Sequence, residues 1–365
     1  LLGTMEGVRV AYTLEQCWHR VPGGTAVSAI EVARALPAVR PDIELVGVSG
    51  RHGEDPSVTF DISIDVAGLP ASGPLLYELS LRCNQPRVER AIPDIDLVHC
   101  TSIIPFATKK KMVATVHDLA FLHHPEFFTK RGNDVFRRSI KVLKKRADML
   151  LCSSKATVND CLESGFSSDR IRLVSLGVRA IDVTADNVVQ ARKHYSLPKN
   201  YLLFVGTLEP RKNLERLVRA LSTRNDLPPL VIAGASGWGD VGVPPSHDVQ
   251  FVGHVEERFL PALYAGASAL CYPSVWEGFG LPILEAMAQG VPVVTSKGTS
   301  TEEVAGGAAQ LVDPLDIESI ANGVVMALAN REELGDLGRN RARAMSWEAT
   351  ALATAQVYDE VIAQT

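Results

Sequence analysis

Apolar residues in this chain fall into short runs, and between the runs they recur every three or four positions. The two patterns alternate from end to end. Val8 to Thr13, Ile43 to Val48, Asp96 to Cys100, Val113 to Val116, Met149 to Ser153 and Arg172 to Ser175 are too short for helices and predict buried strands of a parallel sheet. Helical spacing follows the first run from about Thr25 to Leu36, and Ser154-Lys155-Ala156-Thr157 reads as a capped helix start. Beyond Gly177-Val178 the pattern fades into polar sequence as far as Pro198-Lys199-Asn200, which predicts a linker. It then restarts with runs at Tyr201 to Val205, Leu230 to Ala235, Val249 to Val252, Ala269 to Tyr272, Val291 to Val294 and Gln310 to Val312. Helices are expected from Leu214, over 259–267, after Leu281 and through 317–345. The closing segment, Trp347 to Ile362, is amphipathic, with Ala351, Ala355, Tyr358 and Ile362 near one face.

An α/β chain of 365 residues and 39.4 kDa exceeds one ordinary core, so two domains are expected, 1–178 and 179–346. No apolar segment is long enough to span a bilayer, and Leu1, Leu2 and Met5 run directly into Glu6 without a secretory pattern. The six cysteines form no C-x-x-C pair, and Cys100, Cys152 and Cys271 sit in strand runs, so buried thiols in a reducing cytoplasm are expected.

Up to Val178 there are 22 basic and 20 acidic residues, against 15 and 22 afterwards, so the halves carry +2 and −7. Neither balance fits a nucleic-acid binder. Locally, 128–146 holds eight basic residues against Asp134 alone, interleaved with Phe136, Ile140 and Leu143 at helical spacing. Such a helix either lies on anionic lipid, with Lys109, Lys110 and Lys111 extending the surface, or packs its stripe on its own domain.

The densest chemistry lies in Ser268 to Ser296: a strand run, a glycine turn, a short helix and a second strand run. Gly278 and Gly280 permit a tight turn with exposed amides, and Pro282 presets the helix. Glu277 and Glu285 flank the turn. Donors from Gly278, Phe279 and Gly280 beside two carboxylate acceptors suit a polyol. Singly, Glu285 would serve a helix dipole and Glu277 would be a solvated loop acid; together, with glycines and proline between them, they point to a site.

The run E-G-F-G-L-P-x-L-E resembles the signature of the family-4 retaining glycosyltransferases of the GT-B fold. The resemblance implies two Rossmann-like domains facing across a cleft, with 347–365 crossing back to the first. It gives Glu277 and the amides of Gly278, Phe279 and Gly280, with Leu281, to the donor sugar, and Glu285 to the nucleotide ribose.

In the second half Gly206-Thr207-Leu208-Glu209-Pro210-Arg211-Lys212-Asn213 opens a helix with two adjacent cations. Cations at the positive end of a helix are misplaced unless an anion binds there, and a guanidinium beside an ammonium suits a diphosphate. The resembled family grips donor phosphates at this turn. Many relatives carry arginine after the first glycine, where Thr207 stands here. The G-T-L-E-P-R-K-N version looks like the mannosyltransferase branch and implies GDP-mannose as donor.

Gly23 and Gly24, between the first strand and helix, read as an anion approach or an ordinary turn, and the resemblance places them beside the diphosphate. His117-Asp118 follows a strand's carboxyl end, where a histidine is a proton carrier, a hydrogen-bond donor to a sugar, or structural. By resemblance it meets the donor sugar through its ring or its backbone carbonyl. Gly253-His254-Val255 takes the nucleobase by the same resemblance.

The expected activity is retaining, metal-independent hexose transfer from a nucleotide sugar to an alcohol acceptor, lipid-linked or polysaccharide. No separate cofactor is expected, nor any nucleic-acid partner. A nucleotide-sugar epimerase of related fold, a non-catalytic paralogue and a two-lobed solute receptor remain as rivals.

Overall fold

The computed structural model describes residues 7–19, 23–54, 56, 61–235 and 248–364. In chain order these form β1 (Val8–Thr13), α1 (Gly23–Val39), β2 (Ile43–Gly50), β3 (Val66–Leu69), α2 (Gly73–Cys83), β4 (Leu97–Cys100), β5 (Lys111–Val116), α3 (Ala120–His123), α4 (Lys130–Arg146), β6 (Met149–Cys152), α5 (Lys155–Glu163) and β7 (Ile171–Leu173). There follow α6 (Ala185–His194), β8 (Leu202–Val205), α7 (Leu214–Leu221), β9 (Leu230–Ala233), β10 (Val249–Gly253), α8 (Leu260–Ala265), β11 (Ala269–Tyr272), α9 (Leu281–Ala288), β12 (Val293–Ser296), α10 (Ser300–Ala305), β13 (Gln310–Val312), α11 (Ile317–Ala329), α12 (Arg331–Arg343) and α13 (Trp347–Ala363).

The chain divides into unit 1, Leu1–Leu176 with Trp347–Thr365, and unit 2, Gly177–Ser346. Unit 1 holds a seven-stranded parallel sheet in the order β3-β2-β1-β4-β5-β6-β7. Central strands such as β4 and β6 are buried at every residue, so they read as unbroken apolar runs, the mark of a sheet covered on both faces. The order reverses between β1 and β4, which puts the crevice for a ligand at their carboxyl ends. Buried Glu15, just past β1, accepts hydrogen bonds from Gly50 N–H at 2.6 Å, His52 Nε2 at 3.0 Å and Gly73 N–H, tying the ends of β1, β2 and α2 together.

The terminal helix α13 completes unit 1. It lies on α1, pairs Arg40 with Asp359 at 2.7 Å, and sends Thr350 Oγ1 to the Ser175 carbonyl at 2.8 Å. Its inward face carries Ala351, Ala355, Tyr358 and Val361, all fully buried, while Ile362 lies half out.

Unit 2 repeats the plan with six parallel strands, β10-β9-β8-β11-β12-β13, reversing between β8 and β11. Loops leaving β8 and β11 therefore share one crevice.

Several stretches differ from their sequence reading, among them α2, α3, α6 and β3, none of which it predicts. The patternless linker contains α6, started by a reciprocal cap in which Thr184 Oγ1 accepts from Asn187 N–H and Asn187 Oδ1 accepts from Thr184 N–H. Only Ala191 of α6 is buried, so its apolar stripe is too thin to show. Strand β3 is four residues long, its apolar run is interrupted by Gly68, and Leu69 alone is buried along it, so no strand pattern stands out there.

In α4 the stripe turns inward. Val135, Ile140 and Leu143 are buried, Phe128 and Phe136 pack on the unit 1 core, and Arg138 is taken up by Glu78 at 2.6 Å. No helix among the described residues is long and apolar enough to cross a membrane.

Candidate active site

The loops after β8 and β11 are stitched to each other before any charge is considered. Val275 N–H donates to the Arg211 carbonyl at 2.8 Å, and Asn213 Nδ2 reaches the carbonyls of Pro273 and Pro314 at 2.9 and 2.6 Å. Asn213 adopts a left-handed backbone at φ 62°, a conformation asparagine tolerates, and so separates the Pro210–Lys212 turn from α7. The backbones of Gly206 and Gly234 approach so closely that a Cβ on Gly234 would fall 2.0 Å from the Gly206 oxygen. Above Gly206 runs the stem of Lys212, with Cε 3.5 Å from where a Cβ would stand.

Four charged groups meet on this base. Glu277 receives Arg211 Nη1 on Oε2 and Lys212 Nζ on Oε1, both at 2.7 Å. Arg211 Nε is held by Glu209 Oε2 at 2.7 Å. The Tyr272 hydroxyl donates to Glu277 Oε1 at 3.0 Å and accepts from Lys212. Lys212 and Glu277 are only 7% and 9% exposed. Burial alone would raise the Glu277 carboxyl, but the Arg211 and Lys212 charges and hydrogen bonds outweigh it and hold the group at about 2. Burial pushes the Lys212 ammonium down against the pull of Glu277, and pushes the Glu209 carboxyl up against Arg211 and Lys212.

The sequence reading asked for an external anion beside Arg211 and Lys212; the fold supplies Glu277. With Lys212 and Tyr272 on Oε1 and Arg211 on Oε2, the carboxylate is largely committed.

Of the glycine turn, Gly280 takes φ 105°, where a side chain would be strained and would meet Ile283 and Thr301. Gly278 has no such requirement. Phe279 is buried, and Gly280 caps α9 ahead of Leu281 and Pro282. Glu285 lies one turn further into α9 than expected, so the helix dipole does not account for it. The Tyr264 hydroxyl donates to its Oε2 at 2.6 Å, a second anchorage on the same helix. His254 is exposed at the end of β10 and Val255 is buried.

In unit 1, Gly23 and Gly24 are exposed and open α1. His117 leaves β5 half-buried, with Nε2 3.2 Å from the Thr101 carbonyl. Asp118 caps the next turn, accepting from Ala120 N–H at 3.0 Å, and is structural. Behind His117 a cavity of about 20 Å³ is lined by Tyr12, Ser28, His99, Thr101 and Thr115 among others, room for about one water. His123, which ends α3 rather than lying in a loop, binds Asp160 of α5, and His124 binds Glu126. Among the described residues no cluster of three or more His, Cys, Asp or Glu is arranged to hold a metal.

Sequence reasoning missed Glu209, Tyr272 and Tyr264. Glu209 stood two residues from Arg211 and was legible as a counter-charge. The tyrosines were hidden because they read as strand and helix core.

The signature "Glycosyltransferase Family 4" matches residues 22–180, and "Glycosyl transferases group 1" matches 190–344. An O-antigen chain mannosyltransferase B of Escherichia coli is 31% identical over 68% of this chain and 70% of its own length. The chain belongs to the family-4 glycosyltransferases. This glycosyltransferase is also 30% identical, over 66% of its length, to serotype-specific mannosyltransferase WbdA of Escherichia coli, of which it spans about a third. Sucrose-phosphate synthase from Thermosynechococcus elongatus superposes with a TM-score of 0.75 at 22% identity, covering 98% of this chain and 99% of that one. WaaG, a glycosyltransferase of lipopolysaccharide biosynthesis, superposes at 0.68 with 17% identity over 96% and 99%. At such identities these structures establish the fold, two parallel-sheet α/β units of GT-B type with a carboxyl-terminal helix.

Proposed function

We propose that this glycosyltransferase moves mannose from GDP-mannose to an alcohol acceptor in glycolipid or surface-polysaccharide assembly, with retention at the anomeric carbon and without a metal. The observation that carries the reading is the set of buried Glu209, Lys212 and Glu277 with half-buried Arg211 at the crevice between β8 and β11. Two cations with fixed geometry suit a diphosphate whose charge grows as the glycosidic bond breaks. When phosphate oxygens take Arg211 and Lys212, Glu277 is released to accept hydrogen bonds from sugar hydroxyls, beside the amides that precede α9. Glu285, steadied by Tyr264, takes the ribose. Gly206 allows close backbone approach to the diphosphate, and His254 and Val255 border the base. In a retaining transfer the departing phosphate accepts the acceptor's proton, so no separate general base is needed.

Mannose as the sugar draws on the two Escherichia coli relatives named as mannosyltransferases. With the α4 stripe spent inside unit 1, contact with anionic lipid rests on charge alone. Lys130, Arg131, Arg137, Lys141 and Lys145 are exposed, and Arg146 bonds the Thr108 carbonyl, bringing exposed Lys109 and Lys110 to the same end. Binding to anionic vesicles is expected at low salt and not at high salt.

The test of function is a donor screen read by release of nucleoside diphosphate. Turnover with GDP-mannose and tight binding of GDP are expected. Calorimetry showing UDP bound tightly and GDP not at all would overturn the donor, and sugar product without any acceptor would indicate an epimerase.

A further inference from the structure

Of the two cations in the unit 2 set, Lys212 is buried and Arg211 half-buried. An ammonium has three N–H groups and no lone pair, so each bond of Lys212 can be assigned. One N–H goes to Glu277 Oε1 at 2.7 Å, and a second goes to the Tyr272 hydroxyl oxygen. A carboxylate can only accept, so the phenol hydrogen is donated to Oε1, at 3.0 Å, and a lone pair of the phenol oxygen is what faces Lys212. Lys212, Tyr272 and one oxygen of Glu277 thus close a triangle in which every donor is fixed. The third N–H of Lys212 has no hydrogen-bond partner among the described residues. Tyr272 itself ends β11 and is fully buried, and its backbone carbonyl accepts from Thr295 Oγ1 of β12 at 3.0 Å. Burial first, and Glu277 after it, push the phenol's pKa up, so the hydroxyl keeps its proton beside an ionised Glu277.

We propose that Tyr272 is the positioning residue for Lys212: it takes one N–H and shares Glu277 Oε1, so that Lys212 stays an ammonium and offers a single N–H, in one direction, to a phosphate oxygen. The inference rests on the reading that Arg211 and Lys212 hold a diphosphate, and deepens it by naming what aims one of them. The charged groups facing Lys212 are Glu277 from the loop after β11, and Glu209 and Arg211 from the turn that carries it. Burial works against the ammonium and Arg211 adds to it, while Glu277 and Glu209 oppose both. A lone pair aimed at an ammonium favours the charged form, so removing that lone pair should let the proton leave at lower pH.

Tyr272→Phe deletes the hydroxyl and keeps the ring, whose centre stands 4.7 Å from Nζ. The first measurement is carbon NMR of the full chain labelled at the lysine ε carbon and titrated with pH, the Lys212 signal being assigned by its loss in Lys212→Met. Its midpoint should lie about one pH unit lower in Tyr272→Phe than in wild type, the scale of one charge-assisted hydrogen bond. An unchanged or higher midpoint overturns the proposal, even where denaturant unfolding shows Tyr272→Phe to be less stable, because that is what a merely structural tyrosine would give. The second measurement is calorimetry with inorganic pyrophosphate, which carries the diphosphate charge without a base. As pH is raised, its affinity should begin to fall about one unit earlier in Tyr272→Phe than in wild type. The same profile in both proteins overturns the proposal, and pyrophosphate that binds neither protein overturns it together with the phosphate role of the whole set. Pyrophosphate bound and GDP refused sinks the nucleotide assignment alone and leaves the result for Tyr272 standing.

Discussion

The two units solve the same problem, holding polar groups at the carboxyl end of a parallel sheet, with opposite chemistry. In unit 2 the site is ionic: Glu209, Arg211, Lys212 and Glu277 lie in mutual contact and largely out of water. In unit 1 it is neutral: His117 is fixed by Thr101, Ser153 and Thr157, and beneath it His99 bridges the Tyr358 hydroxyl at 2.6 Å and Thr115 Oγ1 at 2.8 Å. A buried ionic set binds strongly but tolerates no missing member, since each charge is compensated only by its neighbours. A neutral network costs less to bury and fixes orientation, yet offers a ligand little attraction from afar.

The comparison breaks most readily at Lys212. Lys212→Met keeps the stem that crosses Gly206 and removes the charge, leaving Glu277 with one cation. Turnover is expected to fall by about 10²–10³, the scale of one lost transition-state contact. Breaking a buried pair should also cost about 3–5 kcal/mol of stability, read by denaturant unfolding. Turnover within twofold of wild type would refute the ionic reading of unit 2.

Glu277→Gln separates the two tasks assigned to that residue. It is nearly isosteric and frees Arg211 and Lys212 from a competing carboxylate. GDP should bind at least as tightly as to wild type, while sugar transfer falls about 10- to 100-fold with the loss of charged hydrogen bonds to hydroxyls. Weaker GDP binding in this variant would mean that Glu277 positions the cations rather than holding their seat.

What the sequence disclosed follows the same divide. Arg211, Lys212, Glu277 and Glu285 are charged residues beside glycines at strand ends, and charge at such a place is hard to explain except by a partner, so they were legible. Their mutual contact was less so, because a sequence does not say whether a cation awaits a ligand or already has a carboxylate. The supports of His117 left no trace: Thr101, Ser153 and Thr157 act on or through backbone carbonyls, which every residue possesses. Glu15 was hidden likewise, its oxygens being met by the backbone N–H groups of Gly50 and Gly73. Strands buried at every position, such as β4, β6 and β11, declared themselves; β3, cut by Gly68, and α6, with one buried residue, did not.

Acid should distinguish the units by the pH at which each weakens. His99 is pushed down to about 3 by burial, with His117 nearby adding to it, and the His117 ring is itself lowered by burial. A histidine lowered in the folded state leaves the unfolded chain binding more protons, so stability falls as pH drops below 6.5, the unperturbed value. Glu277 works in a lower window: its stabilisation is complete above 4.5 and is lost as pH falls towards about 2. Between pH 6.5 and 4.5, therefore, hydrogen exchange should rise around β4 and β5 while peptides covering Glu277 hold their protection. His99 alone is worth about 2–3 kcal/mol across that window. Earlier loss around Glu277 would reverse the assignment.

The finest test lies on α13. Tyr358→Phe preserves a fully buried ring and deletes only the hydroxyl that meets His99 Nδ1. The imidazole stays buried with one nitrogen unpaired, so unit 1 should lose about 1–2 kcal/mol, more than the bond itself contributes. The ionic set of unit 2, proposed to hold phosphate, shares no partner with Tyr358, so GDP affinity should not change. Calorimetry with GDP beside thermal unfolding of the same variant reads both quantities; a loss of GDP affinity matching the loss of stability would show that the ionic and neutral sites are not independently built.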